Sequence, residues 1–366
     1  MNARITIAAS LVLTLCVACV GTGTPPVPTP YAASSRTAVA TIAQASATPS
    51  PTQTPAPSAT PSPSPSRTAT ASPTPSSTPD VYAGYTIEGL RARSYGGGEI
   101  TVHETMAVTE GFTRMLVSYP SDGLTIYGFL NLPHGEGPFP VAIVLHGYIE
   151  PSEYQTLAYS TRYADALAGA GYVVFHPNLR SYPPSDNGPN GFRVGMAVDV
   201  LNLLALIREH AGKPGPLEAA DGQAVGIMGH SMGGGITWRV IAVDRGVGAA
   251  VLYASMHADE AMNIRQMVQW SGGRSYQPES STPPEDLARI SPASFLQDIV
   301  APVSIHHSVH DTTVPVAWSE DMAGRMEALG LPVELYLYEH TPHTFRGDAD
   351  ALFMQRMIAF FDEHLR

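Results

Sequence analysis

The sequence of 366 residues is poor in cysteine, lysine and charge. Its two cysteines, Cys16 and Cys19, both fall within the first twenty residues. The rest of the chain can therefore form neither a disulfide nor a thiol nucleophile. Lysine occurs once, at Lys213, and 20 basic residues face 32 acidic ones for a formal net charge of −12. With no basic stripe to neutralise phosphates, nucleic acid is excluded as a partner. A polybasic attachment to anionic lipid is excluded on the same ground. No repeat of 20–50 residues is present, which argues against solenoids and propellers.

Proline and glycine, 33 of each, are plentiful but unevenly spread. Positions 21–80 hold 14 Pro, 11 Ser and 13 Thr with no apolar periodicity, as in Thr54-Pro55-Ala56-Pro57. Such a stretch buries too little surface to offset its ordering entropy, so residues 20–80 are expected to form a disordered linker. Ahead of it, Arg4 and an apolar run from Ile5 read as a secretory signal, too short for a permanent span. Leu15-Cys16-Val17-Ala18-Cys19 resembles a bacterial lipobox, whose cleavage would leave Cys19 as the lipid-modified first residue. Ala18 fits that pattern, and Cys16 departs from its usual aliphatic residue. The expectation is a signal peptide of lipoprotein type over 1–19 and export to the cell envelope or beyond. Any membrane contact would then run through the N-terminal lipid alone.

Beyond position 80 the chain has 17 Arg or Lys and 31 Asp or Glu, a net of −14, and is long enough for one large α/β domain or two smaller ones. Apolar runs predict strands at 100–108, 113–119, 124–132, 141–146, 172–176, 224–229, 248–253, 302–307 and 333–338. Helical patterns lie at 155–169, 193–210, 232–244, 315–329 and 349–365. Strands first, then strands alternating with helices, predict a mostly parallel central sheet flanked by helices. The run Val141-Ala142-Ile143-Val144-Leu145 suits a strand covered on both faces. Residues 255–300 interrupt the alternation as a possible small cap over one end of the sheet. Met256, Met262 and Met267 are candidates for lining it.

Val225 to Gly235 reads as a strand, a tight turn and a helix start, and contains GxSxG with Gly229, Ser231 and Gly233 in the motif positions. That spacing thrusts a serine hydroxyl out at the carboxyl edge of a sheet, with glycines leaving room for the turn. A serine needs a base to take its proton and a carboxylate to orient the base. Asp311 and His343 each follow a predicted strand end downstream, in the chain order acid then histidine. The oxyanion would be met by the N–H of Met232 and by a second N–H from the loop after strand 141–146, at His146-Gly147-Tyr148.

With these motifs in hand, the chain resembles an α/β-hydrolase over residues 110–365. It is most similar to the catalytic domain of prolyl-oligopeptidase-type serine peptidases and to dienelactone-hydrolase-like esterases. The matching residues are His146-Gly147, Gly229 to Gly234, His307 to Pro315 and His343. The resemblance implies the α/β-hydrolase fold over 81–366, Ser231 as nucleophile, Asp311 as acid, His343 as base and Tyr148 as the second N–H donor. No cofactor is implied. Two positions depart from the family pattern: Ser308 replaces a glycine, a change expected to alter only a loop, and His340 replaces the glycine before the catalytic histidine. His340 is thereby a rival base.

Other residues carry weaker signals. His306, His307 and His310 are close in sequence, but alternation along a strand turns neighbours to opposite faces, and no HExxH supports a metal site. His146 is expected to hold its loop. His257 and Asp259 could supply a substitute acid. Arg180 is expected to be solvated and Asp199 to be a surface or packing charge.

The leading expectation is an exported serine hydrolase that cleaves ester or peptide bonds through an acyl-enzyme, with ester substrates favoured. Relatives that cut peptides usually carry a gating domain ahead of the hydrolase, whereas only a linker and about 30 residues precede it here. Alternatives are a prolyl oligopeptidase-like peptidase and, in another class, a non-catalytic binding lipoprotein with the same fold. A polyester-hydrolase reading draws on Gly229 to Gly235 and Tyr148, and is weakened by the C-terminal motifs.

Overall fold

The computed structural model describes residues 79–274 and 276–366. The expected leader with Cys19 and the linker as far as residue 78 lie outside the described residues. Nine strands form one sheet: β1 (Thr101–Val108), β2 (Phe112–Ser121), β3 (Leu124–Pro133), β4 (Phe139–Leu145), β5 (Val173–Pro177), β6 (Ala220–His230), β7 (Ala249–Tyr253), β8 (Val303–Ser308) and β9 (Val333–Tyr338). Their order across the sheet is β1-β2-β3-β5-β4-β6-β7-β8-β9. The β1–β2, β2–β3 and β3–β5 pairs are antiparallel, and every pair from β5–β4 to β8–β9 is parallel.

Helices α1 (Ile87–Arg91), α2 (Thr161–Gly169), α3 (Val194–His210), α4 (Met232–Val243), α5 (Glu260–Trp270), α6 (Pro284–Ile290), α7 (Val316–Ala328) and α8 (Gly347–Leu365) complete the described part. Strand alternation divides the core in two. Val141, Ile143 and Leu145 of β4 join one apolar cluster with α3, α4 and α7, while Ala142 and Val144 join another with α2 and α8. This is the doubly covered, mostly parallel sheet expected from the sequence. No described helix is long and apolar enough to cross a membrane.

Two boundaries differ from the sequence reading by four residues or more. α2 starts at Thr161 rather than 155, and the hydroxyl of Ser160 just before it meets Nε2 of His176 at 2.8 Å instead of capping the helix. Residues 155–160 are left as irregular chain carrying Tyr159. β6 starts at Ala220 rather than 224, because an irregularity lets Asp221 pair with Pro140 while Val225 pairs with the next residue, Val141.

Residues 255–300 form α5, α6 and the short turns Glu279–Ser281 and Pro292–Asp298. A buried cluster ties this segment to the turn before α3. Glu260 receives Arg193 and Arg239, and Arg239 also donates 2.6 Å to the Ile290 carbonyl. The carboxyl of Glu279 accepts the Phe192 N–H at 2.6 Å.

Candidate active site

β6 ends at His230 and α4 begins at Met232, so Ser231 occupies the corner between them. Its backbone (φ 54°, ψ −114°) is one that side-chain-bearing residues rarely adopt. Hydrogen bonds hold it there: its N–H donates to the Tyr253 carbonyl at 2.9 Å, and its carbonyl accepts the N–H groups of Gly234 and Met256 at 3.0 Å. The flanking glycines are required by contact. A Cβ on Gly229 would lie 2.3 Å from the Gly233 carbonyl oxygen, and one on Gly233 would lie 2.5 Å from that of Leu145.

Asp311 follows β8 and has a fully buried side chain. Its Oδ1 accepts the N–H groups of Thr313 and Val314 at 2.7 and 2.9 Å, and its Oδ2 lies 2.6 Å from Nδ1 of His343 and 3.1 Å from Nε2 of His307. Burial alone would raise the carboxyl's pKa, but the bonds from His307 and His343 outweigh it and hold Asp311 well below the usual carboxylate range. His343 follows β9. Its loop is pinned where the Phe345 N–H donates to the buried Tyr253 hydroxyl and where the Ser308 hydroxyl donates to the Thr341 carbonyl. Ser308, expected to alter only its own loop, therefore ties the loop of Asp311 to the loop of His343.

Ser231, Met232, His343, Gly147 and Tyr148 border one cleft of ≈ 800 Å³. The first-turn N–H of Met232 has no intrahelical acceptor, as at any helix start. The Tyr148 N–H has no protein acceptor among the described residues, whereas that of Gly147 is taken by the Tyr159 hydroxyl at 2.8 Å. Tyr148 is 65% exposed at the mouth, with its hydroxyl 2.7 Å from Glu150 Oε2. Residues 255–300 contribute Met256, Met267, Trp270 and Tyr276 to the cleft; Met262 does not border it. The segment thus lines the pocket as a cap.

His340 is exposed and stacks on His310 at 5.5 Å, and His343 is the histidine on Asp311. His306 is buried between Ser304 and Tyr338, His307 faces Asp311 and Ser319, and His310 is exposed, so the three do not converge. No group of three or more metal-ligating side chains occurs among the described residues. His146 is buried with its ring nitrogens 2.7 Å from the Gly147 carbonyl and 2.9 Å from that of Asn178. Asp259 caps α5, and His257 meets Asp321 at 3.1 Å.

The expectation of a solvated Arg180 is wrong. Arg180 and Asp199 form a buried pair with Nη2–Oδ1 at 2.8 Å, and Asp199 also receives the Ser121 hydroxyl at 2.6 Å. α3 is covered on the side the sequence leaves open, because the antiparallel strands β2 and β3 and the loop after β5 close over it. Sequence reasoning also missed Tyr159, which lay inside a predicted helix and so carried no signal. It missed the bond from His307 to Asp311 as well, although the spacing of the two within the motif was visible.

The prolyl oligopeptidase family pattern matches residues 214–366, a stretch that includes Ser231, Asp311 and His343. No curated protein matches the chain. Among solved structures, acylaminoacyl peptidase from Pyrococcus horikoshii is similar at 19% identity and TM-score 0.56, covering 70% of this chain and 42% of its own. Acetyl xylan esterase 1 from Thermoanaerobacterium gives 18% and 0.56, covering 77% and 93%. A puromycin-hydrolyzing peptidase from Mycobacterium tuberculosis gives 18% and 0.55, covering 71% and 41%. The chain thus matches less than half the length of either peptidase. These likenesses show the α/β-hydrolase fold.

Proposed function

Taking the chain as a serine hydrolase of the α/β-hydrolase fold, we propose that it is an exported enzyme that cleaves small ester substrates through an acyl-enzyme on Ser231. The observation that carries this reading is the 2.6 Å contact between Asp311 Oδ2 and His343 Nδ1 at the edge of the cleft that Ser231 borders. The hydroxyl of Ser231 attacks the substrate carbonyl while His343 takes its proton, and Asp311 holds the imidazole tautomer and balances the imidazolium that forms. The tetrahedral oxyanion is met by the N–H groups of Met232 and Tyr148. His343 then protonates the leaving oxygen, and water, activated by the same histidine, releases the acid.

Export rests on the N-terminal signal and on Cys19, whose lipid would leave the catalytic part outside the cytoplasm. The preference for esters is supported by two features. The cap formed by 255–300 leaves a cleft of ≈ 800 Å³ lined by methionine and aromatic side chains, a size suited to one small molecule. The acetyl xylan esterase corresponds to this chain over 93% of its own length, against 42% for the acylaminoacyl peptidase.

A panel of p-nitrophenyl esters against aminoacyl and prolyl p-nitroanilides tests the reading. Ester turnover well above amide turnover, abolished in Ser231→Ala, is expected. Faster amide turnover would make the chain a peptidase, and a folded protein that turns over neither would favour a binding protein.

A further inference from the structure

The residue before the nucleophile, His230, is buried and does not belong to the Ser231, Asp311 and His343 set. Its Nε2 lies 3.3 Å from the His343 carbonyl oxygen, and its Nδ1 contacts the Tyr159 hydroxyl. The protons along this chain are fixed by chemistry. A backbone carbonyl only accepts, so Nε2 of His230 carries the hydrogen. Burial, followed by the nearby His343, pushes the imidazole pKa far down, so the ring is neutral and Nδ1 accepts. The Tyr159 hydroxyl must then donate to Nδ1, and its oxygen is left to accept the Gly147 N–H at 2.8 Å.

The resulting line runs from the Gly147 N–H to the Tyr159 hydroxyl, to the His230 ring and to the His343 carbonyl. It joins the loop that offers the Tyr148 N–H to the loop that offers the His343 base, and passes beside Ser231. Packing allows little slack. A Cβ on Gly147 would lie 2.8 Å from the Tyr159 oxygen, 3.1 Å from His230 Nδ1 and 3.1 Å from Ser231 Cβ. The His230 ring also sits 4.3 Å from that of Tyr253, whose hydroxyl takes the Phe345 N–H in the base loop. With the Gly147 N–H taken by Tyr159, the next one along, that of Tyr148, is left without a protein acceptor among the described residues.

We infer that Tyr159 and His230 are positioning residues that hold the oxyanion loop and the base loop in register with Ser231, without exchanging a proton with substrate. This rests on the acyl-enzyme reading above. Loss of the bridge lets the Tyr148 N–H drift from the place where negative charge develops. Such a shift weakens binding of the transition state more than that of the ground state.

The test compares wild type with Tyr159→Phe, His230→Phe and His230→Asn in the full chain, using one p-nitrophenyl ester and one boronic acid that mimics the tetrahedral adduct. Asparagine keeps an acceptor near the place of Nδ1, and phenylalanine keeps only the ring. Tyr159→Phe and His230→Phe are expected to lower kcat about 10–100-fold with KM within about twofold, and to weaken the boronic acid by a similar factor. His230→Asn is expected to recover part of the loss. An unchanged kcat in Tyr159→Phe, or equal losses in kcat and in substrate affinity with no effect on the boronic acid, overturns the inference. If His230→Phe does not fold, Tyr159→Phe alone decides. Failure of the acyl-enzyme reading is distinguishable, since wild type would then show no Ser231-dependent ester turnover.

Discussion

His343 and His307 meet on one oxygen of Asp311, at 2.6 and 3.1 Å, and the other oxygen is filled by the N–H groups of Thr313 and Val314. The carboxylate is therefore saturated with donors, and the bonds from His307 and His343 hold its pKa well below the usual carboxylate range despite burial. Asp311→Asn would keep the shape but change the hydrogen-bonding partner of Nδ1, disturbing the tautomer of His343. A fall in kcat of about 10³–10⁴-fold with KM little changed is expected, read by steady-state ester hydrolysis. A loss below tenfold would remove Asp311 from the mechanism.

The two nearby histidines separate cleanly. His343→Ala should remove almost all turnover, and His340→Ala, at an exposed ring stacked on His310, should stay within about twofold of wild type. The same ester assay checks both, and equal losses would reopen the choice of base.

Glu260 holds Arg193 and Arg239 together, with its side chain 4% exposed. Glu260→Ala leaves two guanidinium groups facing each other in a buried place, a change expected to cost about 3–5 kcal/mol. Urea unfolding should give that loss. Because Arg193 borders the cleft and Glu260 belongs to the cap, KM should rise as well.

Buried histidines make the fold sensitive to acid. His306 is pushed down to about 3, chiefly by burial and then by Arg356, and His176 is also pushed down to about 3, chiefly by burial and then by His146. The unfolded chain binds their protons below the ordinary histidine pKa while the folded chain does not. Stability is thus full above about pH 6.5 and falls as pH drops from there towards 3. Each site should cost about 1–3 kcal/mol between about pH 7 and pH 4.5. Urea midpoints for wild type and His306→Gln at the two pH values check this; an equal pH dependence in both proteins would contradict it.

Much of this was legible in the sequence because strands covered on both faces are continuous apolar runs. Val141 to Leu145 and Ala249 to Tyr253 announce themselves as strands wherever the chain goes afterwards. The tight turn at Ser231 was legible for a related reason: Gly229 and Gly233 are demanded by contacts that only glycine permits. What the sequence concealed was long-range polar pairing. Nothing near Arg180 reveals that Asp199 will bury it, since closure of β2 and β3 over α3 decides that. Tyr159 was hidden because a tyrosine between Ala158 and Ser160 fits a helix pattern, and its role depends on a histidine 71 positions away.

The central claim is that Ser231 is a nucleophile activated by His343. Intact-protein mass spectrometry after treatment with a fluorophosphonate measures this directly. A single adduct on wild type, mapped to Ser231, is expected, with no adduct on Ser231→Ala and much slower labelling of His343→Ala. A folded wild-type protein that takes no adduct, or a Ser231→Ala variant labelled as fast as wild type, would contradict the account.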